Sequence, residues 1–200
     1  MLWKTLPLWK GRTAYILGGG PGLLAVDLER LRGERIVAVN NAFKVAPFSE
    51  ICYFKDFVWF GWNAEELRLF GGMTVTSCYK FKRSSWIRVL REGHRSPFDT
   101  RRGRINRGTN AGFEAACLAL KLGARKLVLL GFDMRVVEGK ANYHDEHRRE
   151  VGEHLYSFQY SPQFYIVRDF CDAQGIPVFN ATPGSELEHF PIIPIEEIYP

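Results

Sequence analysis

Between Arg12 and Leu23 the chain reads RTAYILGGGPGL, an apolar run, three glycines, and a proline where a helix can begin. Tyr15, Ile16 and Leu17 suit a buried strand, Gly18, Gly19 and Gly20 let the backbone turn without a Cβ penalty, and Pro21 fits a first helical position. A strand feeding a glycine turn and then a helix leaves unpaired amides at the positive end of the helix dipole. That is a ready seat for a phosphate or carboxylate. The pattern departs from the strict dinucleotide fingerprint, because its third glycine would fall at Leu23.

The segments that follow alternate as an α/β fold requires. Pro21 to Leu31 carries apolar residues at helical spacing, and RIVAV at Arg35 to Val39 is a β-branched run that ends in Asn40 and Asn41. Ile51 to Phe54 reads as a third strand, Asn63 to Phe70 as a short helix capped by Asn63, and Met73 to Ser77 as a fourth strand. The aromatics Phe57, Trp59, Phe60 and Trp62 read as packing residues. The clearest helix is Thr109 to Leu122, ended by Gly123; its polar and small start, Asn110, Ala111 and Gly112, is a second candidate anion seat. KLVLL at Lys126 to Leu130 is a buried parallel strand that delivers Asp133 just past its end. A helix at Gln163 to Ala173 leads to a strand at Ile176 to Phe179 and a polar turn that holds Ser185.

These elements predict one Rossmann-like α/β domain over residues 1–200, with a mostly parallel sheet flanked by helices. In such sheets ligands bind outside the carboxyl ends of strands, where Gly18 to Gly20, Asn40 and Asn41 all fall. Two segments lie outside the alternation. Residues 79–108 are turn-rich, with ten Lys or Arg between Tyr79 and Arg107 against only Glu92 and Asp99, and read as a long basic loop. Residues 188–200 carry three prolines and read as an extended tail.

The net charge of +5 favours an acidic partner: a phosphorylated small molecule, an anionic glycan, or a nucleic acid bound through the basic loop. Four scattered cysteines without a Cys-x-x-Cys pair read as buried free thiols. No stretch approaches about 18 uninterrupted apolar residues, so no membrane span is expected. The first twelve residues have Lys4 inside a broken apolar run and no small-residue cleavage site, which points to the cytoplasm.

Four blocks of the chain resemble the bacterial sialyltransferases that build lipooligosaccharide ends, and a related group of domains that includes the archaeal-type 6-hydroxymethylpterin pyrophosphokinase. They are G-x-G-P-G-L at Gly18 to Leu23, V-x-V-N-N at Val37 to Asn41, the helix from Asn110 to Ala124 with L-L-G-F-D at Leu129 to Asp133, and N-A-T-P-G-S-E-L at Asn180 to Leu187. The resemblance implies a metal-independent glycosyltransferase using a nucleotide-activated donor. It implies donor contacts at Gly18, Gly20, Asn40, Asn110 and Ser185, and a general base at His144 or His147. Gly22 stands where that family has a serine, and Asn110-Ala111-Gly112 where it has Thr-Ser-Gly.

The residues themselves fit such chemistry. A histidine of ordinary pKa near 6.5 can take a hydroxyl proton at neutral pH, and Arg104, Arg107 or Tyr143 can meet a departing phosphate. No tightly bound cofactor and no protein-held metal are expected; magnesium enters only if the substrate is a triphosphate, as a pyrophosphokinase would use, with Asp133 and Asp145 as its carboxylates. Two other classes stay open: a nucleic-acid-directed binding or modification protein, and a nucleotide-binding protein without catalysis. Oligomeric state is not legible.

Overall fold

A computed structural model of the chain describes residues 2–144, 146 and 154–199. In chain order the regular elements are β1 (Thr13–Leu17), β2 (Arg35–Val39), α1 (Ala42–Val45), β3 (Ile51–Phe54), α2 (Phe57–Leu69) and β4 (Met73–Thr76). They continue with β5 (Arg88–Val89), β6 (Arg91–Glu92), β7 (Arg104–Ile105), α3 (Ala111–Lys121), β8 (Lys126–Leu130), α4 (Tyr165–Gln174) and β9 (Val178–Asn180). Seven strands form one sheet in the order β5-β4-β3-β2-β1-β8-β9, every neighbouring pair parallel. The chain leaves β1 toward β2 on one side and later returns to β8 on the other. That reversal opens a crevice at the carboxyl ends of β1 and β8.

Strand periodicity sorts the core into two layers. Ala14 and Ile16 of β1, Ile51 and Tyr53 of β3, and Leu127 and Leu129 of β8 pack under α3 and α4. Tyr15, Leu17, Cys52, Phe54, Val128 and Leu130 face the opposite layer, which holds α1, α2 and the end of the tail. The tail is pinned there: Ile192 bridges to Asn180, residues Ile195–Ile198 make a 3-10 turn, and the Tyr15 hydroxyl donates to the Ile198 carbonyl.

Three local expectations need correction. Pro21 to Leu31 is not one helix but two 3-10 turns, Pro21–Ala25 and Leu28–Leu31, with Val26 extended between them. The Gly22 amide, which a helix start would leave open, donates to the Asp133 carboxylate, and the Asp27 amide, which a continuous helix would have used, donates to the tail's Tyr199 hydroxyl. The helix assigned to Asn63 begins six residues earlier, at Phe57, where the Asp56 carboxylate caps the Val58 amide. Asn63 is instead buried inside α2 and donates to the Trp59 carbonyl. Of the aromatics, Phe60 stacks on Phe54 and Trp59 is buried, but Phe57 is 45% exposed.

The third correction concerns the basic segment, which is built rather than loose. Its β5 extends the main sheet, and β6 and β7 pair with each other. The organiser is Asp99, only 2% exposed: its carboxylate accepts from the His94 and Arg101 amides and from two nitrogens of the Arg101 guanidinium, while its own amide donates to Asn106. A Cβ at Gly93 would stand 1.9 Å from that carboxylate, so glycine is required there. The Arg101 guanidinium holds the Asp99 carboxyl well below the usual carboxylate range. A depressed folded pKa contributes stability above the ordinary value of about 4, and that contribution disappears as pH falls. Asp99→Asn is therefore expected to lose about 1–3 kcal/mol at neutral pH. In urea titrations the gap to the parent should narrow below about pH 4; a gap independent of pH would contradict this account.

Candidate active site

Past the carboxyl ends of β1, β2, β3 and β8 lies a cleft of about 540 Å³. Its walls include Gly18, Gly19, Gly20, Asn40 and Asn41 from the first two strand ends, Asn110, Ala111 and Gly112 from the start of α3, and Asp133 and His144 from the segment after β8. Ten sequence-nominated positions thus come together. Three others are placed elsewhere. Ser185 is buried outside the lining, its hydroxyl donating to the Phe132 carbonyl at 2.6 Å and accepting from Asn180. Arg107 is more than half exposed and pairs with Glu92 at 3.5 Å. Tyr143 packs into the layer of α1 and α2, its hydroxyl buried without a hydrogen-bond partner among the described residues. His147 and Asp145 lie outside the described residues.

The glycine turn differs in its physics from the sequence reading. Gly18 donates to Leu130, Gly20 to Gly131, Gly22 to Asp133 and Leu23 back to Gly20, which leaves the Gly19 amide as the turn's donor without a partner among the described residues. The glycines are there for close packing. A Cβ at Gly18 would stand 2.4 Å from the Gly131 carbonyl oxygen, and one at Gly20 2.0 Å from an Asp133 oxygen. The turn therefore locks the β1 end onto the β8 end, and it carries no α-helix dipole.

The α3 start is the more open seat. Asn110 caps the Phe113 amide with its side chain at 2.8 Å, and the Ala111 and Gly112 amides, orphaned as at any helix start, line the cleft. Gly112 is fixed by packing too, since a Cβ would meet the Phe132 ring at 2.8 Å.

Beneath this start sits Glu114, fully buried and not singled out by the sequence. Its carboxylate accepts from the Tyr53 hydroxyl (2.6 Å), the Lys55 ammonium (2.6 Å), the Ser77 hydroxyl (2.7 Å) and the Gly108 amide (3.0 Å). Burial alone would lower the Lys55 pKa, but Glu114 and Glu92 more than offset it and hold the group above its ordinary value. Lys55 is thereby a fixed cation on the cleft wall.

The far wall carries residues the sequence did not flag: Arg135, Asn142, Tyr156 and Tyr160. Arg135 has no ion-pair partner among the described residues, and its Nε is buried and unpaired. Burial pushes the Tyr156 phenol up to about 12 and raises that of Tyr160, so both stay protonated at neutral pH; the Tyr156 hydroxyl donates to the Ala141 carbonyl at 3.2 Å. The one available signal was their spacing: two tyrosines four apart ahead of Pro162 share a helical face. Asp133 is 3% exposed, with one carboxylate oxygen on the Gly22 amide and the other without a partner among the described residues; burial raises its pKa. On the β2 side, Asn40 holds a left-handed backbone with φ of +50° and an unpartnered buried Oδ1, while Asn41 donates to Glu146 and accepts from the Trp59 indole. His144 accepts the Glu146 amide at Nδ1, 3.2 Å away.

The same arrangement of strands is found in solved structures. Campylobacter jejuni sialyltransferase CstII, in complex with a substrate analogue, cytidine-5'-monophosphate, superposes with a TM-score of 0.61 at 12% identity, covering 93% of this chain and 86% of that one. The chain shares the sialyltransferase fold. The monofunctional alpha-2,3-sialyltransferase Cst-I from Campylobacter jejuni gives a TM-score of 0.58 at 14% identity, over 91% of this chain and 80% of its own. CST-II in complex with a trisaccharide acceptor and CMP gives 0.56 at 12% identity, over 91% and 86%. No protein-family model matches the chain, and none of the curated proteins does. Among the described residues, no group of three or more His, Cys, Asp or Glu is placed to hold a metal ion, and no helix is long and apolar enough to cross a membrane.

Proposed function

We propose that this chain transfers a sugar from a nucleotide-activated donor of the CMP-sugar kind to an acceptor hydroxyl. The observation that carries the reading is the cleft itself. Open amides from the α3 start face Arg135 and two protonated phenols across a single crevice, at the switch point of a fold shared with CMP-bound sialyltransferases. The donor phosphate would lie against the Gly19, Ala111 and Gly112 amides, with Asn40 and Asn110 as further contacts. As the bond from the anomeric carbon to the phosphate oxygen breaks, its electron pair stays on phosphate, where Arg135 and Tyr160 donate to the growing charge and Tyr156 does so by releasing the Ala141 carbonyl. The acceptor oxygen forms the new bond to carbon and gives its proton to His144.

Calorimetry with CMP, UMP, ATP with magnesium, and a CMP-sugar tests the reading. Binding of CMP in preference to the others is expected, weakened roughly tenfold or more in Ala111→Asp, which sets a negative charge at the helix start. Binding of none of these, or of magnesium–ATP alone as a pyrophosphokinase would require, removes the proposal.

A further inference from the structure

The amino-terminal edge of the sheet, opposite the cleft, carries a feature that sugar transfer does not use. Residues 7–12 cross the end of α3 and the starts of β1 and β8, with the Trp9 amide on Leu122, Gly11 on Gly123, and Arg125 on the Arg12 carbonyl. Thr5 and Trp9 are buried anchors, 3% and 2% exposed, and between them Leu6, Pro7 and Leu8 stand outward. Leu6 is 52% and Leu8 55% exposed, and the Leu8 amide closes back on the Leu6 carbonyl at 2.8 Å. This is a small apolar knob already fixed in shape, so little conformational entropy opposes its burial.

Cations of one sign surround the knob. Lys4, Lys10, Arg12 and Arg125 are exposed, and none has an ion-pair partner among the described residues. Glu50, which the Trp9 indole reaches, is already engaged by Arg35. Two leucines raised among free cations are complementary to an interface that is apolar below and negative at its surface. A nucleic acid would satisfy the charges but give the leucines nothing to enter.

We infer that this edge docks on an anionic lipid surface, with the Leu6–Leu8 knob among the headgroups and the four cations on lipid phosphates. The cleft then faces away from the surface, and docking does not depend on the sugar-transfer reading. Co-sedimentation at low salt with phosphatidylglycerol–phosphatidylcholine vesicles and with pure phosphatidylcholine vesicles tests it. Roughly tenfold or greater preference for the anionic vesicles is expected. Leu6→Ser with Leu8→Ser, and separately Lys10→Glu with Arg12→Glu, should each lower that binding about tenfold while leaving the thermal midpoint unchanged, because all four side chains are exposed. Equal partitioning to both vesicles, or no binding, overturns the inference, and this comparison needs only the parent protein. So does full binding by the leucine double variant together with displacement by duplex DNA, which would make the face a general polyanion site.

Discussion

Glu114→Ala is expected to lower folding stability by about 3 kcal/mol, because it removes the one carboxylate shared by two buried hydroxyls, the Gly108 amide and the Lys55 ammonium, leaving Lys55 with Glu92 alone. For a domain of this size that is a fall of roughly 6–12 °C in the thermal midpoint. Glu114→Gln should recover part of the loss: its carbonyl oxygen can still accept two of the four donors, while its amide group turns a donor toward the others. A shift of less than about 2 °C in Glu114→Ala would show that the network adds little. The variant should also weaken nucleotide binding, since Glu114 links the Gly108 amide ahead of α3 to the Lys55 ammonium on the cleft wall.

Glu114 also shows where the sequence is legible and where it is not. Six of the seven strands in the main sheet leave a local mark, a short apolar or β-branched run closed by Gly, Asn or a polar turn, because a buried parallel strand must be apolar on both faces. The exception is β5, two residues long and recognisable only through its pairing with Val75 and Thr76. A glutamate in the first turn of a helix is ordinary as a sequence feature. It becomes central only when β3 and β4 bring Tyr53, Lys55 and Ser77 to it, from 59 to 61 and 37 positions away. The mistaken helix at Pro21 to Leu31 has the same origin in reverse. Its apolar spacing was correct, but Tyr199, distant along the chain, takes the Asp27 amide that a continuous helix would have used.

The site divides along the same line. Strand ends and helix starts are positions in a repeating pattern, so Gly18 to Gly20, Asn40, Asn41 and Asn110 to Gly112 could be nominated together once the alternation was read. Arg135 and Asn142 reach the cleft from irregular segments and have no such pattern to betray them, and Tyr156 and Tyr160, on one π-helical turn, left only their spacing. Chemistry alone misplaced emphasis as well. Arg107 has the right charge for a phosphate, but Glu92 occupies it, while Arg135, one of many arginines in the sequence, lines the cleft without an ion-pair partner among the described residues.

The largest kinetic effect is expected from His144→Ala, a loss of about 100- to 10,000-fold in the transfer rate with nucleotide affinity changed only a few-fold, since the ring would act on the acceptor proton and not on the nucleotide. The Glu146 amide holds Nδ1 at 3.2 Å, so in the neutral ring the proton sits on Nε2 and the basic lone pair is the one facing Glu146. An acceptor hydroxyl must therefore displace that long contact to hand over its proton, or the ring must change tautomer and present Nε2. Glu146 is itself held by Lys44 and Asn41, and the Lys44 ammonium keeps its carboxyl below the ordinary range. The Glu146 carboxylate therefore keeps Lys44 and Asn41 through neutral pH and loses them only as acid protonates it, so the rate should fall further below the ordinary carboxylate range as the segment holding His144 loosens. His147→Ala measured in parallel decides between the two histidines. If His147→Ala abolishes transfer and His144→Ala leaves the rate intact, the assignment of the base to the cleft-lining histidine is lost.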